Sequence, residues 1–150
     1  MNPPLQPGTP QSCWHSLIAV CDDLAYSLHL ASQNVKEPGL ARVLREIATQ
    51  HRQFLDELRR CFAQSGDAVS APMLDVTGQG WGAFRSALAA RDTNRILAEC
   101  ERRENAAVQA YRVAGQMIDD PASRAVVCQQ LRHVEEAHEI VHELHDARAA

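Results

Sequence analysis

Near its end the chain reads AHEIVHELHD, Ala137 to Asp146, and inside it His138-Glu139-Ile140-Val141-His142 is a literal H-E-x-x-H. On a helix that spacing stacks two imidazoles one turn apart, so both can hold one zinc ion while the glutamate works on its bound water. A peptidase of this kind needs a third ligand farther along the chain, or a glycine turn leading to a third histidine. Only eight residues follow His142, and the nearby His145 belongs to the same helix. The motif therefore divides into two faces. His138 points inward with Glu135, and Glu139, His142, Glu143 and His145 form a solvated face.

A second constellation is better placed. Glu135 and His138 are three residues apart, the Glu-x-x-His spacing that carboxylate-bridged di-iron bundles use on two of their four helices. His51 lies on another periodic segment, and Glu101 and Glu104 on a third. All five fall on or beside apolar stripes, where a charged carboxylate is costly unless it is paired or holds a metal. Imidazole with carboxylate suits Zn, Fe or Mn, so His51, Glu101, Glu104, Glu135 and His138 are the candidate metal ligands. Counting about 1.5 Å per residue from the turn at Asp120 sets Glu104 opposite Glu135 and Glu101 opposite His138, with His51 near mid-height. A bridged di-iron centre lacks parts here. His51 is preceded by Ala48 where a glutamate would stand, and Asp23 is about 120° out of phase with the first stripe at ~100° per residue. The expectation is thus a single metal. The alternative is that the same side chains hydrogen-bond one another and fix the register of a metal-free core.

The elements that must position these groups follow from 4,3,4,3 spacing. Trp14, Leu17, Cys21, Leu24, Leu28, Ala31 and Val35 form one stripe. Leu40, Leu44, Ile47, His51, Phe54 and Leu58 form a second. Leu97, Glu101, Glu104, Val108, Tyr111, Gly115 and Ile118 form a third, and Val127, Leu131, Val134, His138 and Val141 a fourth. Pro38 and Pro121 punctuate short links, so each neighbouring pair should be an antiparallel hairpin. The stretch from Gln64 to Gly82 is loop-like, Trp81 to Ala90 reads as a short extra helix, and Asp92 or Thr93 caps the third long helix. No period-2 segment competes. The predicted fold is all-α: a ferritin-like four-helix bundle of two antiparallel hairpins joined by a long crossover carrying a short extra helix. Residues 1–11 read as a disordered lead-in and 12–148 as the bundle.

Composition excludes other classes. With 150 residues and a net charge of −4, the chain has room for one core and no basic run to hold a polyanion, so no nucleic-acid partner is expected. No apolar stretch approaches the ~20 residues of a membrane span, and the N-terminus has no secretory signature. Five widely spaced cysteines without a C-x-x-C fit free thiols in a reducing cytoplasm. Cys21, Cys61, Cys100 and Cys128 are expected to be buried wholly or in part.

The string LAECERRENAAVQAY, Leu97 to Tyr111, with its Cys-Glu-x-x-Glu and following Tyr, resembles the third-helix signature of a bacterial family of ferritin-like bundles of unknown function. The likeness extends to Val35–Leu58, to the Trp81 helix and to His138, and covers about Trp14 to Ala147. It implies the two-hairpin fold and little about activity. Two functions remain in view: a cytoplasmic bundle holding one transition metal, and a non-catalytic structural module that pairs with itself as a homo-oligomer.

Overall fold

A computed structural model describes residues 8–64 and 80–149. Its elements are α1 (Pro10–Asn34), α2 (Pro38–Gln64), α3 (Gly82–Ala90), α4 (Thr93–Met117) and α5 (Pro121–Ala149), with no strand among the described residues. Three of the starts have a local cap. The Thr9 hydroxyl accepts from Ser12 N–H at 3.1 Å and Pro10 fills the first turn of α1. Asp92 caps α4 through Arg95 N–H at 3.3 Å, and Asp120 serves α5 by accepting from Ser123 N–H at 2.9 Å. Arg91, at φ 50°, takes the left-handed conformation that ends α3 and lets the chain turn directly into α4. Helix α1 begins two residues inside the expected lead-in; residues 1–7 of that lead-in and 65–79 of the crossover lie outside the described residues.

Side-chain pairs set the topology. Trp14 at the start of α1 packs on Phe62 at the end of α2, ring centroids 6.1 Å apart. The first turns of α1, at Ser12 and Ser16, share a groove with Val113 and Met117 at the end of α4. Phe54 of α2 faces His133 of α5 at 5.8 Å, and Glu37 before α2 meets Arg148 near the end of α5 at 2.7 Å. Thus α1 and α5 run one way and α2 and α4 the other. Each long helix packs on two neighbours, leaving α1–α5 and α2–α4 as the diagonals. Because α2 and α4 are parallel, the end of one and the start of the next lie at opposite ends of the bundle, so a single long connection joins the two hairpins.

The core is built from the predicted stripes. Leu17, Leu24, Leu28, Leu44, Leu58, Leu97, Tyr111, Val127, Val134 and Val141 are all buried. The second stripe is turned slightly from expectation: Leu55 is fully buried and Phe54 only half so. Cys128 departs from expectation as well. It is exposed, with its Sγ lying over Gly115, because it sits about 100° round the helix from the buried Val127.

Candidate functional site

At the middle of the bundle His51 of α2 and Glu104 of α4 reach across the diagonal, Nε2 to Oε1 at 3.3 Å. Glu104 is 0 % exposed and His51 3 %, so the contact is shut off from water. The second carboxylate oxygen, Oε2, is buried and has no hydrogen-bond partner. Near it Tyr111 donates to Gln130 Oε1 at 2.7 Å, and the Gln130 amide donates to the Phe54 carbonyl at 3.3 Å, linking α4, α5 and α2. Burial pushes the Cys21 thiol up to about 12, although a hydrogen bond with Tyr111 works the other way and the Glu104 carboxylate adds to the rise. The Cys100 thiol and the Tyr111 hydroxyl are also raised, chiefly by burial. These groups stay protonated at neutral pH and cannot act as nucleophiles.

The other expected ligands have gone elsewhere. Glu101 spans the α4–α5 seam, with one oxygen on His142 Nδ1 and the other 2.8 Å from His145 Nδ1. Burial alone would raise the Glu101 carboxyl, but the hydrogen bonds from His145 and His142 outweigh it and the net shift is downward. The same hydrogen bond with Glu101 raises His142. Glu135 is exposed and meets Arg112 at 3.3 Å. His138 is half-buried, its ring stacked on His142 with centroids 6.4 Å apart. The expected facing pairs Glu104–Glu135 and Glu101–His138 are therefore not formed: Glu104 turns to His51 of α2, Glu135 to Arg112, and Glu101 meets His142 and His145, one to two turns past His138 along α5. The cause is the lean of helical side chains toward their own N-termini. In an antiparallel pair both tips lean back, so groups meet that both lie nearer their C-termini than Cα heights imply. His142 and His145 are also not simply solvated, since both hold Glu101. Among the described residues no group of three or more His, Cys, Asp or Glu is arranged to hold a metal ion.

Sequence periodicity missed Arg103. It is 6 % exposed, and its guanidinium lies 5.0 Å from the Trp81 ring centroid and 4.7 Å from that of Phe84. It donates to Glu99 Oε2 at 2.6 Å and to the Gly80 carbonyl at 2.8 Å, and its Nε lies 3.4 Å from Asp23 Oδ2. Asp23, out of phase for a core ligand, is the α1 partner of this clasp. Burial raises the Asp23 carboxyl, with Arg103 the main opposing influence. The local signals were Glu99 at i−4 from Arg103 and the lone Trp81 at the start of the short helix, which together mark a cation with an aromatic lid.

A family model described as "Domain of unknown function (DUF2383)" matches residues 14–116. No curated protein matches the chain. Among solved structures, a conserved hypothetical protein, rv2844, from Mycobacterium tuberculosis superposes with a TM-score of 0.76 at 16 % identity, over 93 % of this chain and 99 % of that one. At that identity the likeness concerns the fold.

Proposed function

The chain belongs to the DUF2383 family, a domain of unknown function, and on that premise we propose that it is a ferritin-like bundle serving as a non-catalytic structural, self-associating module whose polar core fixes helix register. Support for the ferritin-like assignment comes from the paired antiparallel hairpins and the single long connection between parallel α2 and α4. The observation that carries the functional reading is the His51–Glu104 pair across the α2–α4 diagonal. A diagonal contact between helices that are not neighbours in the bundle selects one rotation of each about its axis. A shift of either by one residue would bury an unpaired charge. The remaining expected ligands fit a metal poorly, since Glu101 is taken by His142 and His145 and Glu135 by Arg112.

One observation favours a second reading, a single core metal. Glu104 Oε2 is a buried acceptor with no partner beside the His51 imidazole. Glu104 and His51 would be its protein ligands, and the ion would supply Lewis acidity at the bundle centre. Elemental analysis of untagged protein separates the two, together with thermal unfolding in chelator and in added Zn²⁺, Fe²⁺ or Mn²⁺. The structural reading expects substoichiometric metal and a melting temperature indifferent to all additions. A stoichiometric metal whose removal lowers the melting temperature would replace it with the second. Sedimentation equilibrium tests self-association, and a monomer at every concentration would remove that part of the reading.

A further inference from the structure

On the outer face of the α1–α2 pair there is a groove of about 410 Å³ whose floor is made by Ala25 and Ala48, 1 % and 6 % exposed. Two alanines at the helix contact leave a depression where larger residues would fill it. Arg45 and Arg52 stand along one bank, and His29 of α1 stands on the other. Residues seven apart lie on the same helical face, so both guanidinium groups overlook one trough. Neither guanidinium makes an ion pair or hydrogen bond within the described residues. Other arginines divide: Arg42 on the same helix pairs with Glu46 at 3.7 Å, Arg59 with Asp22 at 3.6 Å, and Arg103, Arg112 and Arg148 have acidic partners, whereas Arg60, Arg91 and Arg132 have none among the described residues. What sets Arg45 and Arg52 apart is that they line one groove. Asp56 follows Arg52 by four residues, the spacing of a helical ion pair, and no such pair forms.

We propose that this groove is a binding site for a phosphate group, held between the Arg45 and Arg52 guanidinium groups with the His29 imidazole opposite. Planar guanidinium forks match the geometry of phosphate oxygens and donate charge-assisted hydrogen bonds to them. The groove is larger than a phosphate ion, so the class of ligand is a small phosphorylated molecule rather than a nucleic-acid backbone. The Asp56 carboxylate on the rim disfavours a long run of negative charge. No basic run announces the site in the sequence, because its cations are spaced along a helix and drawn from two elements.

The test is isothermal titration of the full chain with inorganic phosphate, run against sodium chloride at matched ionic strength. The expected result is saturable binding of one phosphate per chain. The Arg45→Gln, Arg52→Gln double variant should weaken it at least about tenfold, in keeping with loss of charge-assisted hydrogen bonds. Asp56→Asn should tighten it. All three positions are exposed, so unchanged circular dichroism and melting temperature would show that the variants remain folded. Absence of saturable binding overturns the proposal. So does binding that the double variant retains, or a response that chloride reproduces.

Discussion

His51 Nε2 and Glu104 Oε1 meet at 3.3 Å although the helices that carry them do not pack against each other. The two side chains span the bundle's diagonal, and each is the other's only side-chain hydrogen-bond partner among the described residues. Truncating one end leaves the other buried and unpaired. Glu104→Ala should therefore lower unfolding free energy by about 3–5 kcal/mol. Glu104→Gln keeps shape and hydrogen-bonding capacity and should cost under about 1.5 kcal/mol. Urea unfolding of the three proteins measures both. Equal losses for Ala and Gln would mean that charge, rather than the satisfied contact, matters at this position.

The Glu101 seam predicts a window of pH. His142 is raised in the folded chain by its contact with Glu101, so its contribution is complete below about 6.5 and fades as pH rises through the raised value. Glu101 is lowered on balance, so its contribution is complete above about 4.3 and fades as pH falls through the lowered value. Between those limits the end of α5 is held most firmly. Hydrogen exchange across Val141–Arg148 should show its greatest protection near pH 5–6, after correction for intrinsic rates, and Glu101→Gln should flatten the profile. A profile identical in the variant would detach the seam from pH.

Much of this fold is legible in the chain. Pro38, Asp92 and Pro121 announce helix starts through capping or fixed φ, whereas Thr9 falls within the expected lead-in, and the 3.6-residue period of Leu17–Leu24–Leu28 or Val127–Val134–Val141 names the buried faces. Polar residues on largely apolar stripes mark His51 and Glu104 for the core, but not for each other, since Glu104 is expected opposite Glu135. Register was less legible. Heights counted along the backbone assign partners by Cα position, whereas Glu101 and His145 meet at their tips after both side chains have leaned back a turn. Tertiary clasps were the least legible. Nothing in a helical period joins Arg103 to Trp81, 22 residues earlier and on a different element.

The thiols should separate by position. Cys21, buried and pushed up to about 12, and Cys100, also raised by burial, should resist alkylation in the native state. Cys128 is exposed and should react first. Mass spectrometry after a timed pulse of iodoacetamide resolves the order. Modification of Cys100 keeping pace with Cys128 would mean that the α4 face opens faster than its packing allows. Thiol counting under denaturing, non-reducing conditions should return five.

Arg103 ties three elements through one side chain: α1 by Asp23, α4 by Glu99, and the approach to α3 by the Gly80 carbonyl and the Trp81 and Phe84 rings. Its removal should release α3 before it melts the bundle, because α3 is short and packs only on α4 and α1. Arg103→Ala loses the charge, the fork and the ring contacts, and leaves the partly buried Asp23 without its ion-pair partner while Glu99 keeps Arg102; a loss of about 3 kcal/mol is expected. Arg103→Lys keeps the charge but cannot donate to Glu99 and Gly80 in fork geometry or lay a planar group over the rings, so it should recover less than half of that. Trp81 is buried at 5 % exposure and reports the event directly. Its emission should shift to the red in Arg103→Ala at denaturant concentrations where helical circular dichroism is unchanged. Exchange of Phe84–Leu88 amides should rise while that of α4 past Ala107 does not. Simultaneous loss of both signals would show that α3 belongs to the cooperative core and that Arg103 is one packing residue among many.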